Sequence, residues 1–62
     1  MSIREINRAI VTQKHVVARY TLDGQATQGR IIRARLRYGA TQGKLLSLGV
    51  WVAIDLQHVW IA

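Results

Sequence analysis

The chain has 62 residues, 50% of them hydrophobic, and nine Lys and Arg against three acidic residues give a net charge of +6. A chain of this length forms one domain and buries only about 60% of the surface that its unfolded form exposes. Because it has no cysteine, disulfides and thiolate metal sites are excluded. We therefore expect one small domain that gains further apolar burial by forming a homo-oligomer.

The net charge is large for so short a chain and favours an anionic partner, most often a nucleic acid. The other interpretations are a basic protein without a specific partner, a membrane surface and an acidic protein partner. No apolar run approaches the ~20 residues of a transmembrane helix. The N-terminus also lacks the long apolar core of a signal peptide. A cytoplasmic protein without a membrane partner is the default expectation.

The N-terminal segment predicts a short amphipathic helix at about residues 3–10. Ser2 and Glu5 stand at the spacing of a capping box, in which each side chain bonds the backbone N–H of the other. Three isoleucines within this range then recur at helical spacing. We expect their apolar stripe to cover one open end of a sheet.

The following segment predicts a β-hairpin. Residues 15–22 read as a strand with Tyr20 on its core-facing side. Asp23-Gly24 is a strong hairpin signal, because Gly adopts positive φ without steric cost and Asp tolerates it. An isolated glycine inside the second strand, Gly29, suggests a bulge or bend. We take Gly29 as the corner at which the sheet curls into a small barrel.

Residues 25–38 contain the clearest period-two alternation in the chain. The apolar set, expected to face the core, is Ile32, Ala34, Leu36 and Tyr38, and the basic set, expected to face outward, is Arg33, Arg35 and Arg37. Three guanidinium groups would then stand in a row, about 6.5 Å apart, on one face of the sheet. Because no acidic residue is interleaved, the row favours a polyanion-binding surface over a merely solvated strand face.

The remaining sequence predicts three further short strands. A turn is expected at residues 39–43, then strands at 44–48, 50–54 and 58–61, with a brief turn at 55–57. The lack of proline and of any linker-like stretch indicates a compact barrel over about residues 15–61. Trp51 and Trp60 could stack on bases, but anchoring of the core or of a subunit interface is the stronger interpretation for both.

No catalytic constellation is visible. Each of the three acidic residues has a structural explanation, as a helix cap or in a turn. The stretch GATQGK at 39–44 is too short for a phosphate-binding loop. His15 and His58 stand far apart and have no partners at metal-ligand spacing. The sequence therefore predicts a protein that is not an enzyme and that has no cofactor or metal.

The hairpin resembles the first motif of the Sm-like fold, whose bacterial member is Hfq. The matching features are Tyr20, Leu22, the turn Asp23-Gly24, and Gly29 followed by aliphatic residues. The last two predicted strands look like the second Sm motif. The resemblance implies a ring of subunits in which the fourth strand of one pairs with the fifth of the next. It also implies that single-stranded RNA binds on the faces, pore or rim of the ring.

Both motifs depart from the family pattern. The acidic residue expected after the bent strand is missing, because residues 34–37 read ARLR. The last turn reads DLQH at 55–58, where the family has Arg-Gly or, in Hfq, Lys-His. Only His58 is a counterpart for the basic residue of that turn. Nucleic-acid contacts would then shift to the arginine strand.

The sequence thus predicts a mainly β protein, with a short N-terminal helix and a strongly bent five-stranded antiparallel sheet forming a small SH3-like or Sm-like barrel. The predicted function is binding of RNA, with DNA left open, by a homo-oligomer joined through its edge strands. The predicted nucleic-acid-binding residues are Arg30, Arg33, Arg35, Arg37, Tyr38, Lys44 and His58. The alternative is an SH3-like interaction module of phage or plasmid type that binds DNA or an acidic protein. A third hypothesis, an enzyme whose site forms only between subunits, has no cofactor motif in its support.

Overall fold

The computed structural model describes all residues, 1–62, and consists of one helix followed by a five-stranded antiparallel sheet. The elements are α1 (Ile3–Val11), β1 (Val16–Leu22), β2 (Gln25–Arg37), β3 (Ala40–Leu45), β4 (Trp51–Ala53), a 3₁₀ turn (Leu56–His58) and β5 (Val59–Ile61). The strand order in the sheet is β4-β3-β2-β1-β5. The predicted mainly β fold is confirmed, and its arrangement is compatible with a small barrel.

The capping box at the start of α1 is present as predicted. The backbone N–H of Glu5 donates to Ser2 Oγ, and the backbone N–H of Ser2 donates to Glu5 Oε1, both at 3.1 Å. Hydrogen bonding of the Glu5 carboxylate by the Ser2 backbone N–H, and secondarily by the Ser2 side chain, holds the pKa of Glu5 below its usual value because it favours the charged form. The helix buries Ile6 and Ala9 against the sheet and ends at Val11, one residue later than predicted.

Both long hairpins close with two residues in the left-handed region. Asp23 and Gly24 have φ values of 51° and 79°, and Tyr38 and Gly39 have 54° and 72°. Such turns match the twist of the flanking strands. The first turn is where it was predicted, but the second replaces the turn expected at 39–43. Strand β3 therefore starts at Ala40 and ends at Leu45, earlier than the predicted strand at 44–48.

Strand β2 is irregular at a bulge, not at Gly29. Its pairing with β1 runs without interruption, and Gly29 lies opposite Ala18 within that regular ladder. The register with β3 instead shifts between Ile31 and Arg33, so Ile32 is an extra residue. The pairing therefore shows no bulge at Gly29, and the irregularity of β2 lies at Ile32.

The predicted core face of β2 is wrong at three positions, and the bulge explains the first of them. Ile31 is buried in place of Ile32, which is 37% exposed, while Ala34 is buried as predicted. Leu36 and Tyr38 were also expected in the core, but they are 66% and 86% exposed. Because β1 pairs with β2 only as far as Ile31, the end of the β2–β3 hairpin projects beyond the core.

The core is small and many large apolar side chains remain at the surface. The buried residues are Ile6, Ala9, Val16, Ala18, Tyr20, Ile31, Ala34, Leu45, Ile54 and Val59. Besides Ile32, Leu36 and Tyr38, the exposed set includes Val11, Leu22, Leu46, Leu48, Val50, Trp60 and Ile61. Tyr20 is therefore in the core as predicted, whereas Trp60 is not. None of the helical structure is long and apolar enough to cross a bilayer.

Candidate nucleic-acid interface

Strands β2, β3 and β4 bring the central basic residues onto one face of the sheet. Arg33 pairs with Lys44, Arg35 with Gln42, and Lys44 with Trp51. Paired residues share a face, and residues two apart along a strand share it too. We call this surface the basic face, and its members are Arg33, Arg35, Arg37, Gln42, Lys44 and Trp51. The opposite side of the same strands faces the core, with Ala34, Gly43 and Leu45 buried.

The basic face contains no carboxylate. The three acidic residues are Glu5 in α1, Asp23 in the β1–β2 turn and Asp55 before the 3₁₀ turn. Only Asp55 lies within ion-pair distance of a basic group, with His58 Nδ1 at 3.9 Å from its Oδ2. The positive charges of the basic face are therefore not neutralised within the chain.

Arg35 is held in place more firmly than its neighbours. Its guanidinium carbon lies 3.8 Å from the centroid of the Trp51 ring, and its Nε donates to Oε1 of Gln42 at 2.7 Å. Partial loss of solvent lowers the pKa of Arg35, and the nearby positive charges of Arg37 and Arg33 lower it further. An anion bound to this face would relieve that repulsion. Arg33 and Arg37 themselves are exposed.

Tyr38 lies in the turn at the end of the basic face. Its ring is 86% exposed and 4.9 Å from the guanidinium carbon of Arg37. A tyrosine with a positive φ of 54° is uncommon, because its Cβ crowds the backbone in the left-handed region. The ring is thus in the position that a stacking role requires, although the sequence pattern had also assigned it to the core.

The two other predicted site residues are not members of the basic face as defined by the β2–β3 pairing. Arg30 precedes the bulge, lies opposite Val17 of β1, and its carbonyl accepts from the Leu46 N–H directly after β3. His58 lies in the 3₁₀ turn and lines a surface pocket of 520 Å³ together with Arg19, Thr21 and Asp55. The predicted set therefore separates into one cluster, containing Arg33, Arg35, Arg37, Tyr38 and Lys44, and two outlying residues.

Sequence reasoning missed Trp51 as a member of the site. We expected it in the core or at an interface, but it is only half-buried and lies against Arg35. Its position depends on the pairing of β4 with β3, which places Trp51 opposite Lys44. No local pattern in residues 46–50 specifies that register.

Comparison with known proteins adds no assignment: no protein-family model matches the chain, and no similar protein was found among curated sequences or solved structures. What the basic face does must therefore be inferred from its own charge and geometry. Those features are four cations on one sheet face, one of them fixed by an aromatic ring, and an exposed tyrosine at the end.

Proposed function

We propose that the protein binds single-stranded RNA through the basic face, as an Sm-like homo-oligomer. The observation that carries the proposal is the grouping of Arg33, Arg35, Arg37 and Lys44 on one face without any acidic residue. Guanidinium groups donate paired hydrogen bonds to phosphate oxygens and remain charged at neutral pH. A phosphate backbone lying along β2 would neutralise the positive charges of Arg33, Arg35 and Arg37.

Binding of this kind depends strongly on salt, because each neutralised phosphate releases counterions. Three or four phosphate contacts on a single strand predict a slope of about −2 to −3 for the logarithm of affinity against the logarithm of salt concentration. Fluorescence anisotropy with a labelled single-stranded RNA, titrated at several salt concentrations, measures both affinity and slope. No binding at low salt would contradict the proposal.

The contribution of the basic face is tested with two variants of equal charge. The first replaces Arg33, Arg35 and Arg37 together by Gln, and should weaken binding strongly and flatten the salt dependence. Its matched control replaces three exposed cations outside the sheet, Arg4, Arg8 and Lys14.

Both variants lower the net charge by the same amount, so a general effect of charge would weaken them equally. We expect the control to retain most of the affinity. Equal losses of RNA affinity in the two variants would mean that the basic face has no special role. Unchanged affinity in the first variant would mean that its three arginines do not bind RNA. Circular dichroism of both variants checks that the fold is intact.

The edge strands β4 and β5 support the proposed homo-oligomer. Ile54 N–H donates to the Thr41 carbonyl, so the alternation of an antiparallel ladder directs the N–H of Ala53 away from β3. Three exposed apolar side chains lie in or next to these edges: Val50 (47%), Trp60 (39%) and Ile61 (45%). An unpaired edge beside apolar surface favours addition of a strand from another copy.

Solution mass measured by light scattering over a range of concentrations tests the assembly. A closed ring of several copies is the expected result, and a strict monomer would contradict it. Ala53→Pro removes an N–H that faces outward while sparing the ladder to β3, so it should dissociate the oligomer into folded monomers. An unchanged mass in this variant would exclude β4 as the joining edge.

An acidic protein or DNA is the competing partner for the same charges. The exposure of Tyr38 beside Arg37 favours this alternative, because an exposed aromatic side chain beside a cation also suits a protein surface. Competition of labelled RNA with polyglutamate and with duplex DNA distinguishes the two functions. Displacement by polyglutamate at concentrations where unlabelled RNA has no effect would support the SH3-like interaction module instead.

A further inference from the structure

The contact between Arg35 and Trp51 spans the full width of the basic face. Trp51 belongs to β4 and Arg35 to β2, so the two side chains meet across the intervening strand β3. Gln42 of β3 holds the edge of the guanidinium through the 2.7 Å bond to Nε. Arg35 is thereby fixed in orientation and is not a freely rotating phosphate contact.

A fixed guanidinium presents a second planar surface. Trp51 takes one face of the Arg35 group, and no other aromatic ring of the protein lies over it. Two of the neighbouring positions on this side of the sheet, Ala40 and Ala53, carry only methyl groups and are exposed, whereas the others carry the long side chains of the basic face. Beside these two alanines a planar ligand meets no large side chain.

From this geometry we infer that Arg35, supported by Trp51, is a stacking platform for one unpaired nucleobase. The inference rests on the proposed binding of single-stranded RNA and adds to it a specific contact with an unpaired base at Arg35. Nucleobases stack on arginine planes as well as on aromatic rings. Arg33, Arg37 and Lys44 would hold the phosphates on either side. In a duplex both faces of a base are covered by its neighbours, so the platform selects against double strands.

The test compares two oligonucleotides that carry the same number of phosphates. One is a twelve-nucleotide oligouridylate, and the other has the same sugar-phosphate backbone without bases. Anisotropy at a fixed salt concentration gives both affinities for the wild-type chain, Arg35→Lys and the matched control Arg33→Lys. Each substitution keeps the positive charge and removes the planar guanidinium group. Thermal unfolding verifies that all three proteins are folded at the working temperature.

The wild-type protein should bind the base-containing strand about tenfold more tightly than the abasic one, the usual scale of one stacked base. Arg35→Lys should reduce this ratio severalfold, whatever its effect on the affinity for the abasic strand, and Arg33→Lys should preserve the ratio. In a Trp60→Phe background, Trp51 fluorescence should be quenched by the base-containing strand only.

Equal affinities of the wild-type protein for the two strands would contradict the proposal that Arg35 stacks on a base. Electrostatic binding through the basic face would remain supported. An undiminished ratio in Arg35→Lys would place the stacked base elsewhere and would also contradict the stacking proposal. If neither strand binds at low salt, the proposed function itself fails and the platform fails with it.

Discussion

Asn7 of α1 forms two hydrogen bonds with the backbone of Ala34, which lies 27 positions further along the chain. Its Nδ2 donates to the Ala34 carbonyl at 2.9 Å, and the Ala34 N–H donates to its Oδ1 at 2.8 Å. The side-chain amide thus takes the place of a neighbouring strand just beyond Ile31, where β1 stops pairing with β2. Asn7 thus satisfies the hydrogen-bonding groups of Ala34 in β2 and attaches α1 to that strand.

Removing the Asn7 amide should destabilise the fold. Asn7→Ala leaves a half-covered backbone N–H and carbonyl without partners, which costs about 1–3 kcal/mol. The matched control is Gln28→Ala, an exposed polar residue of β2 whose loss should stay within about 0.5 kcal/mol. Urea unfolding gives both free energies. Equal effects of the two substitutions would show that the Asn7 bonds do not hold α1 in place.

The capping box predicts a pH dependence of stability. Because the pKa of Glu5 is lower in the folded state, the unfolded chain binds more protons over the pH range between the two pKa values. The contribution of Glu5 is therefore fully present above the unfolded pKa and is lost as pH falls through the folded pKa.

Glu5→Gln can still accept the Ser2 N–H but does not titrate. Its urea midpoint, measured from neutral pH down to about pH 3, should fall less than that of the wild-type chain. Parallel decreases in the two proteins would show that Glu5 does not contribute to the stability change at low pH.

Two glycines of the sheet should respond in opposite ways to alanine. A Cβ at Gly43 would lie 3.1 Å from Ile31 Cγ2 and 3.2 Å from Ile54 Cδ1, so Gly43→Ala should cost about 1–3 kcal/mol of stability through overpacking.

A Cβ at Gly29 would instead make an ordinary 3.5 Å contact with the Tyr20 ring. Gly29→Ala should be tolerated, with a gain of up to about 1 kcal/mol from the lower entropy of the unfolded chain. Thermal or urea unfolding of the pair provides the comparison. A severe loss at Gly29 would support its predicted role as the corner of the sheet.

Tyr38 should be unfavourable for stability and favourable for binding. Tyr38→Asn relieves left-handed strain of about 1–2 kcal/mol and loses an exposed cation–π contact of about 0.5–1 kcal/mol. The net result should be a small increase in stability. If the ring stacks on a base, affinity for single-stranded RNA should fall in the same variant. A variant that is less stable, or one that binds RNA as tightly as the wild-type chain, would contradict one half of this prediction.

Local chemistry made several features predictable from the sequence alone. Ser2 and Glu5 cap a helix through neighbouring backbone groups, and Asp23-Gly24 forms a turn through its own φ angles. The alternation around Ala34 places the arginines outward, because successive residues of a strand face opposite sides. Each of these needs only contacts within a few residues.

The tertiary structure decided the features that depend on register between distant strands. The extra residue at Ile32 exists because the pairing of β2 with β3 shifts by one position between Ile31 and Arg33, while the pairing of β2 with β1 stays regular. The meeting of Arg35 with Trp51 likewise depends on how β4 aligns with β3. Such offsets are set by which side chains are buried together across the sheet, and that information is not local to any stretch of the chain.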